Sequence, residues 1–230
     1  MNFWESFWSF LFPPRCIFCC RVVRTGELVC PDCLPKLEKT DGGCLRCAAP
    51  LPKNSTSDRC PWCAGFTFTF KSVRAVSYYR GEWRKVIHRF KYGRERHLAR
   101  PLAQLIYENF DSWEGLQAEV ITAVPLHYRR LQERGYNQSA LLARELSRLT
   151  NIPYVELLER KKDTPSQTGL NREERLRNLR GAFHLRRPLK KGMEVLVVDD
   201  VFTTGATAEA ATNALVAGGA GKVFILVAAR

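Results

Sequence analysis

The chain has 230 residues, of which 45% are apolar and 26% charged. That is globular composition, long enough for one ordinary domain plus a small one. No apolar run approaches the ~18 residues of a membrane-spanning helix, so an integral membrane protein is not expected. The formal net charge of +13 argues for an anionic partner, and two zinc ions held by eight thiolates would lower it only to +9.

The N-terminus, Met1 to Glu5, lacks a basic stretch, and no small-residue cleavage site follows it. A secretory signal is therefore not expected, and a cytoplasmic location is. Phe3, Trp4, Phe7, Trp8, Leu11 and Phe12 recur at helical spacing. They read as a short helix packed on the rest of the chain. The same face would suit a peripheral contact at the inner side of a membrane, although no Lys or Arg precedes Arg15.

All nine cysteines lie within the first 63 residues. Eight form four Cys-x-x-Cys knuckles: Cys16 and Cys19, Cys30 and Cys33, Cys44 and Cys47, Cys60 and Cys63. A two-residue gap lets both sulfurs face one tetrahedral ion. In a reducing compartment this reads as two structural zinc sites and not as disulfides. Consecutive pairing puts the first four cysteines in one site and the last four in the other; the spacing also allows a crossed arrangement. Cys20 is a bystander. Composition changes near residue 65, which predicts a zinc-ribbon unit over 1–65 and a larger domain over 66–230.

From Phe66 to Tyr79 the pattern predicts a pair of strands, then helices from about Gly81 to Lys91 and from about His97 to Phe110. Glu119 to Val124 reads as a buried strand ending at Pro125. Asn137 to Thr150 is an amphipathic helix, and Lys161 to Arg180 a polar, basic loop with some helix. Glu194 to Val198 is a near-continuous apolar strand. A turn at Thr203 to Thr207, a helix from about Ala208 to Ala217 and a strand from Lys222 to Ala228 follow. Strands alternating with helices predict an α/β fold with a parallel sheet covered on both faces.

The run from Val195 to Thr207 carries the most chemistry. A buried strand delivers Asp199 and Asp200 to its C-terminal end, where open α/β sheets bind ligands. Carboxylates there can accept hydrogen bonds from the vicinal hydroxyls of a sugar. The turn Thr203-Thr204-Gly205-Ala206-Thr207 opens a helix whose free N–H groups favour a phosphate. No Gly-Lys-Ser/Thr follows, so a P-loop ATPase is not indicated.

This acid pair and Thr-rich turn resemble the type I phosphoribosyltransferases. That resemblance implies that Asp199 and Asp200 hold the ribose hydroxyls of phosphoribosyl pyrophosphate, and Thr203, Thr204, Gly205, Ala206 and Thr207 its 5′-phosphate. The likeness is closer to the ComF family (competence protein F and GntX-like proteins), whose pattern is a cysteine-rich zinc segment followed by a phosphoribosyltransferase-like domain. The matching pieces are Phe90-Lys91-Tyr92, Val124-Pro125-Leu126-His127, Arg134-Gly135-Tyr136-Asn137-Gln138, Gln167, Arg177-Asn178 and Gly181-Ala182-Phe183.

Between Pro125 and Lys191 there are 16 Lys/Arg against 7 Asp/Glu. By the resemblance, Leu126, His127, Arg129, Arg130 and Arg134 occupy the place of a pyrophosphate loop. Lys161, Lys162, Arg172, Arg175, Arg177 and Arg180 occupy that of a mobile loop over the site, and they would equally serve nucleic acid. Aromatic residues for stacking bases are few there: Tyr128, Tyr136, Tyr154 and Phe183. His88, His97 and His184 read as packing or surface residues; His127, beside the loop, is the exception.

Two functions follow from the resemblance. One is a protein of natural competence that supports uptake of transforming single-stranded DNA, binds phosphoribosyl pyrophosphate with Mg2+, and works with a helicase and DNA-processing proteins. The other is an active phosphoribosyltransferase acting on a nitrogenous base or other amine, with no catalytic residue identifiable from the sequence. A zinc-ribbon transcription regulator has no helix-turn-helix to support it.

Overall fold

The computed structural model describes residues 13–38, 40, 43–52, 54–109, 116–162, 174, 178–179 and 181–230. The expected N-terminal aromatic helix and most of the basic loop lie outside them. The secondary structure comprises α1 (Pro61–Gly65), β1 (Ser72–Ser77), α2 (Gly81–Tyr92), α3 (Ala99–Glu108) and β2 (Val120–Ala123). There follow α4 (Tyr128–Arg134), α5 (Gln138–Thr150), β3 (Leu158–Arg160), β4 (Phe183–Leu185), β5 (Val195–Val201), α6 (Ala206–Ala217) and β6 (Val223–Ala229).

Four strands form a parallel sheet in the order β1-β6-β5-β2. β3 and β4 pair antiparallel beside it. The sheet is α/β because its central strands are apolar on both sides. Along β5, Leu196 and Val198 pack on one face against α2, α3 and α5, while Val195 and Val197 pack on the other against α6, β3 and β4. β6 alternates in the same way, with Leu226 and Ala228 on the first face and Val223, Ile225 and Val227 on the second. Chain direction thus brings the carboxyl ends of β2 and β5 side by side.

The cysteine segment straddles the β1 edge. Cys16, Cys30 and Cys33 continue the first core, with Phe18 set edge-on to Trp83 at 5.4 Å. Cys44, Cys47, Cys60 and Cys63 continue the second, beside Phe68 and Phe70. Parts of this segment bond β1: Val73 N–H donates to Arg46 O at 2.9 Å, and the hydroxyls of Thr40 and Ser77 bond Ala75 O and Glu38 O. An open sheet edge is thereby covered. The opposite edge is covered as well, since Ile121 N–H donates to Pro153 O and Val155 N–H to Ile121 O, each at 2.9 Å.

Two local expectations differ from the structure. Only one strand forms between Phe66 and Tyr79, because Phe66, Phe68 and Phe70 turn their rings onto one another (4.7 and 4.5 Å) and Thr69 N–H bonds the Glu209 carboxylate in place of a strand. Helix α4 forms where no apolar period announced one; it buries none of its residues and ends on Gly135 at φ 75°.

Candidate functional site: an acid pair beside a threonine-rich turn

Asp199 and Asp200 lie near the end of β5. Asp199 Oδ1 accepts from Ser139 Oγ at 2.8 Å and from the Asp200 backbone N–H at 2.9 Å. Asp200 forms an ion pair with Lys91 Nζ at 2.9 Å, both side chains being largely buried. Burial, with Asp200 alongside, raises Asp199 to about 7 against the opposing pull of Lys91 and the Ser139 hydrogen bond. Burial alone would push Lys91 down, but the two carboxylates outweigh it and hold the ammonium above its ordinary range. The site therefore concentrates two carboxylates and compensates them with one cation.

Sequence reasoning gave Lys91 no role. Its signal was a lysine in the last turn of an amphipathic helix, immediately after the fully buried Phe90. The run from Arg134 to Ser139 explains how Lys91 is held. Tyr136 Oη donates to Phe90 O, Gln138 Nε2 donates to Lys91 O at 3.2 Å, and Arg134 packs over the Tyr92 ring at 5.0 Å. Asn137 caps α5, accepting from Ser139 N–H at 3.1 Å, and donates to Val124 O at 3.0 Å. Six consecutive residues thus lock the end of α2, the end of β2 and the first acid of β5 together.

The turn after β5 leads into α6. Gly205 has φ 85°, and a Cβ there would stand 2.9 Å from the Phe202 ring and 3.0 Å from that of Phe68. Thr204 Oγ1 accepts from Ala206 N–H at 3.4 Å. Asp199, Thr203, Gly205, Ala206 and Thr207 line one small cavity of about 20 Å3. The acid of the first helical turn, Glu209, is turned away and accepts from Thr69 N–H and Oγ1. The helix N-terminus therefore faces its cavity with hydroxyls and amides, a setting for a phosphate.

Of the expected pyrophosphate-loop residues, His127 is buried and packs on Tyr128, with ring centroids 4.4 Å apart. Arg129 lies over the Tyr128 ring at 5.9 Å. Arg130 is half-buried on α4, and Arg134 bonds Gln138 Oε1 at 3.2 Å. Leu126 lines a different, larger cavity. Lys161 and Lys162 are exposed, Lys161 pairing with Glu159 at 2.9 Å. Arg172, Arg175, Arg177 and Arg180 lie outside the described residues, as does Gln167.

The cysteines gather into two groups, Cys16, Cys19, Cys30 and Cys33, and Cys44, Cys47, Cys60 and Cys63, whose sulfurs lie within 4.8 Å of one another. Four thiolates about 2.3 Å from a common ion fit that spacing, so both groups suit structural zinc. Burial pushes the Cys16 and Cys44 thiols up, yet backbone N–H groups of the knuckles outweigh it and bring both down to about 7. Each group thus holds one thiol readily ionised for metal.

Residues 134–230 match the phosphoribosyl transferase domain family, and residues 7–64 the double zinc ribbon domain family. Fold and site together define a phosphoribosyltransferase-type protein carrying a double zinc ribbon. The DNA utilization protein YhgH of Escherichia coli K12 is 32% identical over 215 residues, which is 91% of this chain and 87% of that protein. Competence protein F of Haemophilus influenzae is 31% identical over 205 residues, covering 84% and 86%. Competence protein ComFC of Bacillus subtilis is 27% identical over 198 residues, covering 84% and 80%. The chain belongs to the ComF family. Among the described residues no helix is long and apolar enough to cross a membrane.

Proposed function

We propose that this protein handles incoming single-stranded DNA at the cytoplasmic face of the membrane during natural transformation, under the control of a phosphoribosyl pyrophosphate-binding pocket. The ribbon unit, residues 1–65, serves as scaffold, and residues 66–230 carry the pocket. The observation that carries this reading is the placement of Asp199 beside Thr203, Gly205, Ala206 and Thr207 at the carboxyl end of β5, which sets an acceptor for a sugar hydroxyl next to donors for its phosphate. Magnesium enters with the pyrophosphate of the ligand. The relatives named for competence and DNA utilization support the cellular context; a helicase and DNA-processing proteins are the partners proposed within it.

The test is calorimetric titration of the purified protein with phosphoribosyl pyrophosphate and Mg2+, with and without an oligonucleotide. Replacing Asp199 and Asp200 by Asn removes two charge-assisted hydrogen bonds, so ligand affinity falls at least ~100-fold. Affinity for single strands falls steeply between about 50 and 200 mM salt, and charge reversal at Arg172, Arg175 and Arg177 weakens it. A double Asn variant that folds and binds the ligand as tightly as wild type overturns the pocket. If ligand binding is lost while DNA uptake in cells continues, the pocket does not serve uptake.

A further inference from the structure

A second cavity, of about 510 Å3, opens on the far side of β2 from the acid pair. It lies between α4, α5 and the segment that runs from Tyr154 into β3, and Arg186 after β4 closes it. Its volume is that of a small-molecule site. Its floor is apolar, made by Ala123, Pro125, Leu126, Ala140 and Leu158.

Tyr128 and Tyr154 supply aromatic surface. Tyr128 is 57% exposed, and one helical turn on stands the exposed Leu131. Tyr154 is half-buried, with the Arg144 guanidinium over its ring at 5.5 Å. Arg144 and Arg186 share one carboxylate, Glu156, at 3.1 and 2.6 Å, and both remain about half exposed. Among the described residues, two guanidinium groups on one carboxylate leave a positive charge unbalanced at the rim, where it can bind an incoming anion. Arg96 and Arg160 add to the cationic lining, against Glu159, which is already paired with Lys161.

Arg160 ends β3 opposite Phe183, and Arg186, just after β4, donates its N–H to Leu157 O at 2.8 Å at the other end of the ladder, so the β3–β4 pair carries a cavity-lining arginine at each end. A concave, aromatic, cationic cavity suits a base splayed out of a stack with its phosphate at the mouth; a duplex keeps its bases stacked and inaccessible.

We propose that this cavity seats one nucleotide of single-stranded DNA, with Tyr128 and Tyr154 against the base and Arg144 and Arg186 on the phosphate. The inference rests on the DNA-handling function above and gives it an address separate from the acid pair. The test is fluorescence anisotropy with a labelled oligothymidylate over a salt series. Wild type is compared with the double variant Arg144→Gln/Arg186→Gln, whose half-exposed side chains the fold can spare, and with Tyr154→Leu. The double Arg variant loses affinity at least about tenfold, and its dependence of log K on log salt becomes shallower by about 0.7, the loss of one single-strand phosphate contact. Its binding of phosphoribosyl pyrophosphate stays at the wild-type level. A 5-iodouracil oligonucleotide crosslinked to the wild type attaches to Tyr128 or Tyr154.

If wild type binds the strand and the double Arg variant binds it equally with the same salt slope, the cavity is not the DNA site, although the DNA-handling function stands. A crosslink confined to the acid-pair turn or to the ribbon likewise overturns the cavity as the DNA site. If sedimentation shows a wild-type dimer that the Arg variant dissolves without change in DNA affinity, the cavity belongs to a second copy and the proposal falls. A wild-type protein that binds no single strand removes both the site and the function it rests on.

Discussion

Asp199→Asn isolates the electrostatic cost of the acid pair. Asp199 is buried beside a second carboxylate and is raised from the ordinary carboxylate range to about 7. Between that range and pH 7 the folded chain retains a proton that the unfolded chain has released. Stability therefore falls as pH rises through this window, and the penalty is complete above pH 7. Three pH units at about 1.4 kcal/mol each set a ceiling of about 4 kcal/mol. Asn keeps the shape and still accepts from Ser139 Oγ and the Asp200 N–H, but it carries no charge. Urea unfolding of wild type and variant at pH 5, 6, 7 and 8 reads the difference directly. The variant's advantage over wild type grows from pH 5 to pH 8 by up to about 3 kcal/mol, two pH units at about 1.4 kcal/mol each, and levels off above pH 7. A difference constant across the series, or a variant less stable at pH 8, refutes the reasoning.

Lys91→Met strips Asp200 of its buried partner and costs about 3–5 kcal/mol, most of which Asp200→Asn restores in the double variant; a single variant within about 1 kcal/mol of wild type in the same unfolding assay counts against the pair. Elemental analysis gives two zinc ions per chain, and one in Cys30→Ser, with red-shifted tryptophan emission as Phe18 leaves Trp83. Gly205→Ala forces a left-handed residue against the Phe68 and Phe202 rings, costs at least about 2 kcal/mol in urea unfolding, and weakens phosphoribosyl pyrophosphate in calorimetry.

What could be read from the sequence was what neighbouring residues specify together. The four knuckles, the apolar strand into Asp199 and Asp200, and the Thr-Gly turn are each contiguous, so spacing alone exposes their chemistry. Lys91 was opaque because its meaning depends on Asp200, which only the sheet order brings near it. The run from Arg134 to Ser139 was recognisable as a motif, but its hydrogen bonds go to α2, β2 and β5, and no local pattern encodes those partners. Helix α4 buries nothing, so it had no apolar period to show. The alternating Phe66, Phe68 and Phe70 had the period of a strand, but ring stacking and the Glu209 carboxylate took them instead.

The order of strands in space sets a condition on biosynthesis. β6 is inserted between β1 and β5, yet it follows both along the chain. While the nascent polypeptide is being made, β1 has no partner strand on either side until β6 leaves the ribosome. The second cysteine group also gains a contact from beyond β6. Arg230, just after β6, reaches Cys47 across 183 positions of sequence, its guanidinium 3.5 Å from the sulfur. The two cysteine groups can close early, since each gathers ligands from a short stretch and needs only metal. A nascent chain stalled before Val223 thus carries two loaded metal knots and an unpaired β1, whereas one that includes β6 can complete the sheet.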